Sequence, residues 1–191
     1  PAAELKTKPA DIAPVHGLAA RAAAALNATA AASAEPPLTD RITRFVKGIW
    51  NQAETAAKAL GLPTEAVVGH AALETGWGQH QPGGGSNNLF GIKADARWQG
   101  AKVAAKTTEM DGGQSRIEQA QFRAYASPEE GFADYASFLK SNPRYAEALS
   151  HGGSSARFAQ GLQKAGYATD PHYAEKLKTA IERVSKARTA I

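Results

Sequence analysis

Between Ala66 and Leu73 every residue but His70 is apolar or small, so the run offers no wet side. Folded as a helix, it is buried nearly all round. Pro63 and Thr64 open it, and Gly76 and Gly78 stop it within a turn of Glu74, the carboxylate at its end. At helical spacing Glu74 shares a face with Val67, His70 and Ala71. The preceding stretch is amphipathic instead. Ile42, Phe45, Val46, Ile49, Trp50 and Ala53 recur at i, i+3, i+4 spacing after Thr39 or Asp40, a candidate N-cap. That pattern predicts a helix ending near Gly61 and packed beside the buried one.

Gln79 to Ser86 is rich in Gly, Pro, His and Gln and reads as loop. From Val103 the period changes to two. Val103, Ala105, Thr107 and Glu109 alternate onto one side, Asp111-Gly112-Gly113 turns the chain, and Ile117 to Tyr125 returns as the partner strand. Helices resume at Ser127-Pro128-Glu129-Glu130, a capping box with Pro at N1, followed by the stripe Phe132, Tyr135, Ala136, Phe138 and Leu139. Asn142-Pro143 breaks this helix, and a short one follows through Ala146 and Leu149. Another runs from Ser154 or Ser155 through Phe158 and Leu162 to Gly166. The last begins around Asp170-Pro171 and buries Tyr173, Leu177, Ile181 and Val184. The expected class is α+β, mainly α: one helical domain over residues 39–191 with a small β-hairpin lobe, and a cleft between the two parts.

Composition changes the picture at the N-terminus. Residues 1–38 hold 15 Ala and 5 Pro but no aromatic residue, too little apolar side chain to offset the entropy of ordering, and read as a linker, flexible or docked. The net charge of +4 is modest and no two Lys or Arg are adjacent, which argues against a nucleic-acid partner. A diffuse positive field suits an acidic polymer instead. No segment reaches the roughly 18 apolar residues of a membrane span. The absence of cysteine excludes thiolate metal sites and fits an extracytoplasmic setting. The five histidines show no paired metal-ligand spacing, so neither a metal nor another cofactor is expected.

The candidate chemistry centres on Glu74. Desolvation and the negative end of the helix dipole both disfavour its charged form, which suits a general acid; the ordinary alternative is a surface salt bridge. Glu109 is either a second carboxylate facing the cleft or a cross-strand partner for Arg116. Glu118 and Asp111 are its reserves. Asn87 to Lys93 is either a turn with an apolar anchor or a groove wall. The loop tyrosine Tyr167 either covers the core or reaches a ligand, and Trp77 and Trp98 are core residues or sugar-stacking platforms.

Five motifs in order, Glu74-Thr75-Gly76-Trp77-Gly78, Asn88 to Lys93, Thr107-Thr108-Glu109, Asn142 to Tyr145 and Gly166 to Tyr173, resemble those of glycoside hydrolase family 73. The resemblance covers about residues 39–188 and is nearest to flagellar members. It implies a lysozyme-like fold and an endo-acting β-N-acetylglucosaminidase that cuts peptidoglycan glycan strands between N-acetylglucosamine and N-acetylmuramic acid. It further implies a periplasmic, monomeric enzyme whose flagellar rod partners bind through an N-terminal domain outside this sequence. Glu74 matches the catalytic acid, Glu109 the proposed second carboxylate, and Tyr167 a tyrosine implicated in catalysis or substrate positioning. Trp77, Asn88, Phe90, Lys93, Tyr145 and Tyr173 are the expected substrate-binding positions. Inverting, retaining and substrate-assisted routes stay open, as do the readings of a lytic transglycosylase or a non-catalytic wall-binding module.

Overall fold

The computed structural model describes residues 36–111, 114–150 and 153–191, with side chains described outside 108–115. The reading of residues 1–38 as a linker therefore lies almost wholly outside the described residues. Helix α1 (Leu38–Leu60) starts ahead of its expected cap. Pro37 occupies the N-cap position without a side-chain bond, and Thr39 and Asp40 lie in the first turn. The pattern located the stripe but not the start, because Pro37 already carries the dihedral that launches a helix. Ile42, Val46, Ala53, Ala56, Ala57 and Leu60 form its buried stripe, and Gly61 ends it in a left-handed turn.

Helix α2 (Thr64–Thr75) is the buried rod: all ten residues from Ala66 to Thr75 are buried. It packs against α1 and against the last helix, α6 (Tyr173–Thr189). Gly69 makes the second contact possible, since a Cβ there would stand 2.5 Å from Ile181 Cγ1 and 2.9 Å from its Cα. Helix α3 (Pro128–Ser141) lies on α1, with Ser127 accepting from the Glu130 amide as the capping motif predicts. A 3₁₀ turn (Pro143–Tyr145), α4 (Ala146–Ser150) and α5 (Ser155–Lys164) lead back to α6. α6 begins two residues beyond the expected Pro171, because the Asp170 carboxylate accepts from the His172 amide and holds that turn outside the helix.

The hairpin pairs β1 (Lys102–Asp111) with β2 (Gln114–Arg123), from Lys102↔Arg123 to Asp111↔Gln114. Neither strand packs broadly on a helix. The base of the hairpin is tied down, the Arg123 amide donating to Ile92 O (3.0 Å) and the Ala94 amide to Gln121 O (2.9 Å), while Ala124 closes the two strand ends on Ala101 O (2.9 Å) and Thr107, midway along β1, is buried. The helices enclose the main hydrophobic core, which receives no strand residue among those described. The result is the mainly α, α+β architecture read from the sequence.

Candidate active site

Glu74 sits in the last turn of α2 and is 2% exposed. The chain leaves this helix through three successive left-handed residues, Gly76, Trp77 and Gly78, with φ of 57°, 62° and 83°. For a tryptophan this conformation costs on the order of 1–3 kcal/mol, and the surroundings hold it. The Trp77 amide donates to Ala72 O at 2.9 Å, and the Thr75 hydroxyl donates to Ala71 O while accepting from the Gly78 amide. The Trp77 ring meets Phe45 of α1 edge-on, with centroids 6.0 Å apart. Trp77 thus fixes the corner behind the acid.

Around the carboxyl stands a ring of tyrosines. Tyr173, the first residue of α6, donates its hydroxyl to Glu74 Oε1 at 2.9 Å. His70 Nε2 lies 3.6 Å from that oxygen and bonds the Tyr173 hydroxyl instead, at 2.7 Å. Its Nδ1 meets the hydroxyl of Tyr135 from α3, also at 2.7 Å. Among the described residues no other donor reaches the carboxyl. Burial, and after it the charge of Glu74, raises Tyr135, Tyr167 and Tyr173 well above the ordinary phenol value. These hydroxyls therefore remain neutral donors at any working pH.

Several sequence-predicted positions turn out to build the walls of this centre. The Tyr167 hydroxyl is buried and donates to Phe90 O at 2.9 Å, latching the 88–93 loop to the helical body. Its ring packs on His70, with centroids 4.6 Å apart. Phe90 stacks on Tyr135 at 3.6 Å, and Tyr145 packs between Phe138 and Tyr167. Asn88 spends its amide on main chain: it donates to Ile92 O and Arg123 O and accepts from the Ile92 amide. It shapes the loop and pins the hairpin base, and its amide does not face a ligand. Lys93 lies 3.6 Å from Glu118 Oε1 of β2, and its backbone bridges Phe122. Trp98 is half-buried, donates to Ala101 O, and carries the Arg123 guanidinium 4.4 Å above its ring. Arg123 also pairs with Asp134 at 2.8 Å.

Glu109 is paired with Arg116 in the hairpin register, two positions beyond the buried Thr107. Its side chain, and that of Asp111, lie outside the described residues. The structure thus gathers Glu74, Phe90, Tyr145, Tyr167 and Tyr173 around one point, and places Asn88, Lys93 and Trp77 as supports. Two members of the centre have no role in it read from the sequence: His70 is placed there on the face of Glu74 and set aside as a metal ligand, and Tyr135 is read as part of a core stripe. The available signal was that His70 is the one polar residue within the apolar run and lies one turn before Glu74. Among the described residues no cluster of three or more metal-ligating side chains occurs.

Comparison with known proteins adds the following. The glucosaminidase family, described as mannosyl-glycoprotein endo-beta-N-acetylglucosaminidase, matches residues 50–186. The peptidoglycan hydrolase FlgJ of Vibrio cholerae is 52% identical over 136 residues, covering 70% of this chain and 41% of that relative. Its Salmonella typhimurium counterpart is 39% identical over 169 residues, covering 83% and 53%. The crystal structure of a peptidoglycan hydrolase mutant from Sphingomonas sp. A1 superposes with a TM-score of 0.73 at 41% identity, covering 78% of this chain and 99% of that one. The chain spans less than half the length of the first curated relatives it matches.

Proposed function

The chain belongs to the glucosaminidase family, and from that premise we propose that it hydrolyses the glycan strands of peptidoglycan as an endo-β-N-acetylglucosaminidase, with Glu74 as the proton donor. Its lysozyme-like fold, a helical body beside a small β lobe, supports that reading. One observation carries it: a carboxyl, 2% exposed at the end of a buried helix, held by the hydroxyl of Tyr173. Glycosidic cleavage needs a proton on the leaving oxygen and stabilisation of an oxocarbenium-like carbon. Glu74 supplies the first. Glu109 is proposed as the second carboxylate, delivered by the hairpin and acting as a base on water. Tyr167, Phe90, Tyr145 and Asn88 hold the groove wall, and Lys93 and Trp77 brace it.

The peptidoglycan hydrolases among its relatives support the substrate and an extracytoplasmic site of action. Periplasmic work beside the flagellar rod, with rod proteins bound through a segment outside this sequence, belongs to the same proposal. The test is mass spectrometry of digested peptidoglycan. New N-acetylglucosamine reducing ends support the reading. Anhydro sugars would show a lytic transglycosylase, and glycan pull-down without new ends would show a binding module.

A further inference from the structure

Glu74, Tyr173, His70 and Tyr135 form one buried chain of hydrogen bonds, and its donors and acceptors match in only one direction. The Tyr135 hydroxyl meets a single acceptor among the described residues, His70 Nδ1, so its hydrogen points there. Nδ1 is then bare and Nε2 carries the ring hydrogen. Nε2 donates to the Tyr173 oxygen at 2.7 Å, and the Tyr173 hydrogen is left for Glu74 Oε1 at 2.9 Å. Reversing the chain puts the ring hydrogen on Nδ1 and strands the Tyr135 hydrogen in a site closed by aromatic rings. Phe90, Tyr135, Phe158, Tyr167 and Tyr173 all surround the imidazole edge-on, with centroids 4.6–6.2 Å away. Glu74 is the one carboxylate that the structure brings near His70 among the described residues.

We infer that His70 is a positioning residue whose tautomer selects which oxygen of Glu74 carries the acid proton. Oε1 receives the Tyr173 hydrogen and acts as the carbonyl oxygen, so the transferable proton resides on Oε2. In the reversed chain Tyr173 donates to His70, and the proton of Glu74 turns inward on Oε1, toward Tyr173, where no leaving group can take it. Orientation of a catalytic group through a tautomer held from behind has the same logic as the carboxylate behind a triad histidine. The inference deepens the proposed role of Glu74 and rests on it.

Two measurements test it. The first is ¹⁵N NMR of the imidazoles in the full chain, with His70 assigned by its disappearance in His70→Gln. A bare Nδ1 and a protonated Nε2 are expected; a protonated Nδ1 overturns the inference, whatever the enzyme's activity. The second is kinetic. His70→Leu, which removes both ring bonds, should lower kcat about 10- to 100-fold with KM unchanged. His70→Gln, whose amide both accepts and donates, should recover most of that loss. Tyr135→Phe removes one hydroxyl from a stacked ring and serves if His70→Leu does not fold; it should lower kcat with KM unchanged. Wild-type kcat in folded His70→Leu or in Tyr135→Phe sinks the inference. Full activity in Glu74→Gln sinks the acid assignment itself, a separate outcome.

Discussion

The helical body and the hairpin are built on opposite terms. The body holds its carboxyl dry, ringed by tyrosines and backed by a helix with no exposed side. The hairpin is a two-stranded ribbon held by main chain at its base and, midway, by the buried Thr107 and the Lys93–Glu118 contact, and it carries Ile117 72% exposed. An isolated two-stranded ribbon is marginal in water, so a hairpin with little helix packing is held less tightly than the rod of α2. The contrast assigns precision to one lobe and adaptability to the other. A proton donor gains from fixed direction, whereas a lobe that closes over a polymer gains from compliance.

The sharpest break in this comparison is Glu74→Gln, which should lower turnover by about 10²- to 10⁴-fold while leaving thermal stability near wild type, read as release of reducing ends. Glu109→Gln should cost about 10²-fold and regain activity with added azide. Full unaided activity would make Glu109 a structural partner of Arg116. Gly69→Ala should destabilise the helical body by about 1–3 kcal/mol in urea, because Ile181 backbone stands where the new methyl must go. Asp170→Asn is smaller and depends on pH. Burial pushes the Asp170 carboxyl up, but the Lys176 ammonium and the His172 amide outweigh it, so the folded group lies below its ordinary value. Its contribution is present above the unfolded carboxylate value of about 3.9 and is lost as pH falls through the lower folded one. The variant should therefore be less stable by about 0.2–1 kcal/mol at pH 7, with the gap closing toward pH 2. The smallest effect is Ile117→Ser on the hairpin, within about 0.5 kcal/mol of wild type. A larger loss would mean that the hairpin is braced more firmly than its contacts show.

Periodicity made most of the fold legible. The apolar run Ala66 to Leu73 announced a rod buried on all sides, and the alternation of Val103, Ala105 and Thr107 survives in the strand, where these residues are more covered than Lys102, Ala104 and Lys106. Helix starts were less legible, as at Pro37 and Tyr173, because a cap depends on one dihedral or one side-chain bond and leaves no repeat behind. The site was legible at its centre and not in its chemistry. A period of 3.6 places Glu74 on the face of His70, but nothing local announces that Tyr135 and Tyr173 reach the same imidazole from α3 and α6. Asn88 was read with its amide open to a groove, since spacing alone does not tell a side chain aimed outward from one folded back on its own loop.

Tyr173 stands 99 positions after the carboxyl it contacts. A growing polypeptide therefore contains Glu74, the proposed acid, long before it contains the hydroxyl that holds it, and the centre is assembled only when α6 docks against α2. On that reading the order of assembly is itself a safeguard: a fragment ending before α6 carries every residue of the buried rod and still lacks the hydroxyl that orients its carboxyl.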